Sequence, residues 1–169
     1  KFNNYKLIYD DVEAASEFNI QKLFGEKALN RIESPTEEGP SKVIQDFHLV
    51  IHKLLNDNKP FIYVLDSFDA LTTEDELMRT DKVMKARESG KETPGTYGMD
   101  KAKYASSLLR QIASEVQKNN SLVLIVSQTR DNIDPMSFTK KTRAGGQALH
   151  FYSSYEVWTA VEGKIQIDV

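Results

Sequence analysis

The stretch Phe61-Ile-Tyr-Val-Leu-Asp66-Ser67-Phe-Asp-Ala-Leu-Thr-Thr73 sets the frame for the whole chain. Five apolar or aromatic residues run straight into an acid, a serine and a loop. An unbroken run of this length suits a strand buried on both faces of a parallel sheet. Leu122-Val-Leu-Ile-Val126 is a second such run. An acid where the strand leaves the core lies at the carboxyl edge, where open α/β sheets bind ligands. A carboxylate there suits a hydrated magnesium ion beside a nucleotide phosphate. The same Asp66 would equally suit a simple cap on the following turn.

The rest of the chain alternates strands with amphipathic helices. Tyr5 to Tyr9 predicts a first strand that ends in Asp10-Asp11-Val12-Glu13. Ala14 to Phe24 predicts a helix closed by Gly25, and Ala28 to Ile32 a short strand. Ser41 suits the N-cap of a helix in which Val43, Ile44, Phe47, Val50, Ile51, Leu54 and Leu55 share one face. Leu71 to Gly98 is irregular, and its charged middle, Glu74 to Glu92, reads as a solvated helix or a mobile stretch. Ala102, Ala105, Leu108, Leu109, Ile112, Ala113 and Val116 mark one face of a helix starting at Asp100. Gly145-Gly146 opens a helical turn, and Tyr155 to Ala160 with Lys164 to Val169 predict a hairpin about Glu162-Gly163. The expected fold is α/β: a mainly parallel sheet with helices on both faces and a C-terminal β-hairpin, in a single domain across residues 1–169.

Composition removes several classes of function. The 169 residues are 40% hydrophobic and 28% charged, which fits a globular domain with a sizeable core. Without cysteine there is no disulfide, zinc–thiolate site or cysteine nucleophile. No apolar run approaches the ~20 residues of a membrane span, so a cytoplasmic setting without membrane contact is expected. A net charge of −3 argues against a uniformly basic nucleic-acid binder but leaves room for a local basic loop. The start at Lys1, with no initiator Met, suggests a piece of a longer protein.

Polar residues stand at three strand ends: Asp10, Asp11 and Glu13 on the first, Asp66 and Ser67 on the second, Ser127 and Gln128 on the third. Parallel strands bring such ends to one edge, where carboxylates and an amide suit metal binding, water activation and phosphate contact. Polar residues also appear wherever buried strands surface, so each end taken alone carries little. The phosphate-cradling pattern Gly-x-x-x-x-Gly-Lys-Ser/Thr is absent from the 169 residues: Gly90-Lys91 continues into Glu92, and Gly163-Lys164 into Ile165. His48 and His52 have metal-ligand spacing on a helix, but no Glu follows His48, and helix surface explains them as well. Between Thr129 and Ala144, Arg130, Lys140, Lys141 and Arg143 face only Asp131 and Asp134, a modestly basic loop in which Phe138 suits stacking on a base.

The ordered set Leu-Ile-Tyr-Asp-Asp-Val-Glu-Ala-Ala, Val-Leu-Asp-Ser-Phe-Asp-Ala-Leu-Thr, Tyr-Gly-Met-Asp-Lys-Ala, Leu-Ile-Val-Ser-Gln-Thr-Arg and Ala-Gly-Gly-Gln-Ala-Leu-His-Phe-Tyr-Ser-Ser resembles the ATPase core of the RecA-type recombinases, including phage-encoded relatives. The resemblance implies a site for ATP and Mg2+. It makes Asp66 the Walker B aspartate that positions magnesium through water, with Ser67 beside it. Glu13 becomes the glutamate that activates the attacking water, with Asp11 as its rival. Gln128 becomes the contact to the γ-phosphate. Arg130, Lys140, Lys141, Arg143, Gly145 and Gly146 fall in the second DNA-binding loop, and the region before Met99 in the first.

The implied function is a DNA-stimulated ATPase that binds single-stranded DNA and self-associates, as filament or ring, for recombination or repair. Alternatives are a hexameric helicase or KaiC-like ATPase, a non-hydrolysing assembly or DNA-binding module, and a metal nuclease using Asp10, Asp11 and Asp66. The chain departs from bacterial RecA in its longer, more charged segment after Asp66 and in His150, where RecA has a lysine. The resemblance places the Walker A loop before Lys1, and the lysines that reach a neighbour's nucleotide beyond Val169. The 169 residues by themselves are therefore expected to bind ATP poorly and to hydrolyse it hardly at all.

Overall fold

A four-stranded parallel sheet forms the centre of the protein. The computed structural model describes residues 2–14, 19–90, 100–131, 141–143, 147–160 and 162–163. Strand β1 (Lys6–Asp11) pairs on one side with β2 (Ile32–Glu33) and on the other with β3 (Phe61–Asp66), which pairs in turn with β4 (Leu122–Ile125). The order is β2-β1-β3-β4, every ladder parallel. The chain therefore leaves β1 to one side and returns for β3 on the other. That reversal opens a crevice at the carboxyl ends of β1 and β3, the usual ligand position in open α/β sheets.

Alternation along the strands decides the core. In β3, Phe61, Tyr63 and Leu65 are buried, and Ile62, Val64 and Asp66 are partly so. The register Ile8↔Tyr63 and Asp10↔Leu65 puts Ile8 and Asp10 on the same buried face. Helices α3 (Ile44–Asn56) and α5 (Asp100–Lys118) cover it with Ile44, Phe47, Val50, Ile51, Leu54, Ala105, Leu108, Leu109 and Ile112. These are the residues that the 3.6-residue period selects. The short α6 (Ala148–Tyr152) adds Ala148 and Leu149.

Several sequence expectations shift. Before β2, Gly25 at φ 84° separates α1 (Ile20–Phe24) from α2 (Glu26–Leu29). Ala28 and Leu29, strong helix formers, thus sit in a helix, and the strand starts only at Ile32. Residues 15–18 of the expected first helix lie outside the described residues. The charged segment after Thr73 resolves into a regular helix, α4 (Glu74–Glu88). Leu122 to Val126 was expected to be buried on both faces, but Leu122, Leu124 and Val126 are exposed. A continuous apolar run cannot say which of its faces is covered. Residues 155–160 form no strand, and the expected second limb, 164–169, lies outside the described residues. No described helix is long and apolar enough to cross a membrane.

Candidate active site

Where β1 ends, Val12 N–H donates to the Asp66 carbonyl at 2.7 Å, tying the first turn after β1 to the end of β3. On the other side, Val126 N–H donates to the Leu65 carbonyl and Phe68 N–H to the Val126 carbonyl, both at 2.9 Å. The three strand ends are thus laced together by backbone hydrogen bonds before any side chain is considered.

Onto this lattice the sequence places Glu13, Ser67 and Gln128. The Ser67 hydroxyl donates to Glu13 Oε1, and Gln128 Nε2 donates to the same oxygen at 3.2 Å. Ser67 is buried, whereas Glu13 and Gln128 are exposed. One carboxylate oxygen therefore joins all three strand ends at the solvent edge. Asp66 stands beside them, partly buried, with Tyr9 OH donating to its Oδ2 at 3.0 Å. Asp11 is the register partner of Asp66 on the same face, so two carboxylates adjoin there.

Asp10 does not join this group. Its Oδ1 accepts from Ser41 N–H at 2.9 Å and its Oδ2 from Tyr63 OH at 2.5 Å, in the core. The alternation of the strand turns it to the opposite face from Asp11. A three-aspartate metal centre of Asp10, Asp11 and Asp66 is therefore not assembled.

The remaining predicted residues that are described follow Gln128 in the chain. Its backbone N–H donates to Asp69 Oδ2 at 2.7 Å. Immediately after it, β5 (Thr129–Asp131) pairs antiparallel with β6 (Lys141–Arg143), and Arg130 and Lys141 are exposed on this two-stranded sheet. Lys140, Gly145, Gly146 and the region before Met99 fall outside the described residues, as does the side chain of Arg143. His48 and His52 meet Nε2 to Nε2 at 2.6 Å on α3, and burial lowers the pKa of His48.

Sequence reasoning missed Tyr9, which orients Asp66, and Asp69, which holds Gln128. Asp69 lay in plain view, three residues after Asp66, but a second acid past a strand end carries no spacing signal of its own. The Ser127 hydroxyl and Asp69 Oδ1 are buried without a hydrogen-bond partner. Buried polar atoms are seldom left so, and at a site they suit a ligand or water.

The oxygen donors of Asp11, Glu13 and Asp66 suit a hard divalent cation such as magnesium. Among the described residues, no three acidic or imidazole side chains form a ready-made metal cage. Magnesium beside a nucleotide uses one or two carboxylates and draws its other ligands from water and phosphate, and the residues present fit that mode.

The RecA N-terminal domain family matches residues 38–166, which take in β3, β4 and the β5–β6 sheet. The chain belongs to this family. Its curated relatives include "Protein RecA" of Francisella tularensis subspecies novicida, tularensis and holarctica, each 29% identical over 161 residues. The alignment covers 94% of this chain and 40% of each of those proteins, so the chain spans about two fifths of their length. Family membership fits the parallel α/β core.

Proposed function

We propose that the protein is a RecA-type, DNA-stimulated ATPase that assembles on single-stranded DNA in recombination or repair. The observation that carries this reading is the meeting of Ser67 and Gln128 on one oxygen of Glu13. A carboxylate held in place by an amide and a hydroxyl, at the mouth of a crevice between two strands, is built to receive a proton from a water. Phosphoryl transfer asks little more of a protein than such positioning and charge neutralisation.

In this reading Glu13 is the general base. Asp66, oriented by Tyr9, holds magnesium through water, and magnesium neutralises phosphate charge when bound. Gln128 contacts both Glu13 and the γ-phosphate, and passes loss of that phosphate into the β5 strand, an order–disorder switch. Arg130, Lys140, Lys141 and Arg143 meet DNA phosphates, with Gly145 and Gly146 closing the loop. Self-association as filament or ring places several such loops along one strand.

Turnover of the full-length protein with and without single-stranded DNA tests the reading. Glu13→Gln should lower DNA-stimulated ATP hydrolysis about 10²–10⁴-fold, the usual worth of a positioned base, while nucleotide binding survives. Asp11→Asn should cost less than about tenfold. If Glu13→Gln left turnover intact while Asp11→Asn abolished it, the base would be Asp11. A full-length protein with no ATP turnover would refute the proposal.

A further inference from the structure

Asp69 and Lys101 are two charged residues drawn into one chain of hydrogen bonds that the chemistry above does not use. Asp69 sits in the 3-10 turn Phe68–Ala70 directly after Ser67. Its Oδ2 accepts from the backbone N–H of Gln128 at 2.7 Å. The ammonium of Lys101, in the first turn of α5, donates to the carbonyls of Asp69 at 2.9 Å and Leu71 at 2.5 Å. It lies 5.0 Å from the centre of the Phe68 ring, and Phe68 is fully buried. Burial pushes the Lys101 ammonium down, while the charges of Asp69 and Glu76 hold it up and Arg130 opposes them.

Gln128 is the last residue before β5, and its side chain reaches Glu13. Its main chain is therefore pulled from two sides: by β5, which carries Arg130, and by Asp69. Asp69 can resist only if its own turn is fixed, and Lys101 fixes it by donating to the carbonyl of Asp69 within the turn and to that of Leu71 just after it. The grip comes from α5, the helix that carries a large part of the core.

We propose that Asp69 and Lys101 are positioning residues that anchor the main chain of Gln128 to helix α5, so that DNA bound on the β5 side moves the Gln128 amide against a fixed point. The inference rests on the ATPase reading. Without the anchor, a pull on β5 would be spent in shifting the whole strand end. With it, the pull turns the Gln128 side chain toward or away from Glu13. Coupling of this kind is reciprocal in binding: nucleotide state should change affinity for DNA by the same factor as DNA changes affinity for nucleotide.

The test uses the full-length protein, single-stranded oligodeoxythymidine and steady-state ATP turnover. Asp69→Ala should lower kcat with DNA about tenfold, the size of one lost charge-assisted hydrogen bond, with less change in KM for ATP. Lys101→Met keeps the stem over Phe68 but loses the donors, and should do the same. The double variant should be no worse than either single one, because both cut the same chain. Asp69→Asn retains an acceptor without the charge and should restore part of the rate, and in Asp69→Ala turnover with DNA should fall more than turnover without it, a difference that a merely structural role would not produce.

Thermal unfolding checks that each variant is folded, and Lys101→Met carries the test if Asp69→Ala is not. DNA-stimulated turnover unchanged in both Asp69→Ala and Lys101→Met would overturn the anchor alone. Additive losses in the double variant would do the same. A full-length protein without ATP turnover would instead remove the reading on which the anchor rests.

Discussion

Asp10 and Asp11 adjoin in the chain and face opposite sides of the sheet. Asp10 is fully buried, and its two oxygens satisfy Ser41 N–H and Tyr63 OH. Burial, followed by the charge of Asp10, raises the pKa of Tyr63 far above its ordinary value, so the phenol keeps the proton it donates. A buried carboxylate is costly unless its lone pairs are filled. Here they are filled by a loop N–H and a core phenol, which pins the start of α3 to β1. Replacing Asp10 with Ala strands both donors. Each buried, unsatisfied donor costs about 1–3 kcal/mol, so Asp10→Ala should destabilise the fold by roughly 2–5 kcal/mol. Urea unfolding would show it as a fall in midpoint with little change in slope. A loss below about 1 kcal/mol would mean that water takes over both donors.

At the scale of elements, the same chain contains helices stabilised in two different ways. Helices α3 and α5 each bury an apolar stripe, and their faces were legible from sequence because the 3.6-residue period is strict there. Helix α4 buries none of its residues and is held by its N-terminal cap and by surface contacts to α5, Arg79 with Asp100 and Tyr104 OH donating to Asp75 Oδ2. Thr73 Oγ1 accepts from Glu76 N–H at 3.1 Å, and Glu76 Oε2 accepts from Thr73 N–H at 3.1 Å and from Thr72 Oγ1 at 2.7 Å. This reciprocal cap was readable in Thr-x-x-Glu, but the dense mixture of charges beyond it obscured how far the helix runs. Removal of the cap by Thr73→Ala should cost about 0.5–2 kcal/mol. Because α4 shares no core, the loss should appear locally: amides of residues 76–80 should exchange faster, while those of β3 keep their protection. Equal acceleration in β3 would show that α4 is bound into the cooperative core after all. The strand β4 taught the complementary lesson, since its unbroken apolar run disclosed a strand but concealed that Leu122 and Leu124 face outward. The gathering of strand ends at one edge was legible from the polar residues Asp66, Glu13 and Gln128 that stand there. The site was not legible where the task is to hold another residue's backbone, as with Asp69, or another carboxylate, as with Tyr9.

For the whole molecule, electrostatics set the terms of any encounter with DNA. These 169 residues carry a net charge of −3, which repels a polyanion at long range, so in the proposed reading affinity comes from a local concentration of positive charge. Arg130 and Lys141 are exposed on the β5–β6 sheet, with Lys140 one residue before Lys141 in the chain and Arg143 two after it. The two-stranded ladder holds Arg130 and Lys141 directly behind the Gln128 that reaches Glu13. Contacts to phosphates release counterions, and each neutralised phosphate on a single strand adds about 0.7 to the slope of log affinity against log salt. Removing the three charges at Lys140, Lys141 and Arg143 together should therefore weaken binding of single-stranded DNA by the full-length protein and lower that slope by about 2. Binding should fall alike on oligonucleotides of different sequence, because phosphate contacts position a protein without reading bases. Fluorescence anisotropy across a salt series measures both quantities. A slope that stays unchanged while affinity falls would show that the three side chains act through the loop's shape rather than its charge. An unchanged affinity would move the DNA contact off this loop, and with it the route from DNA to Gln128.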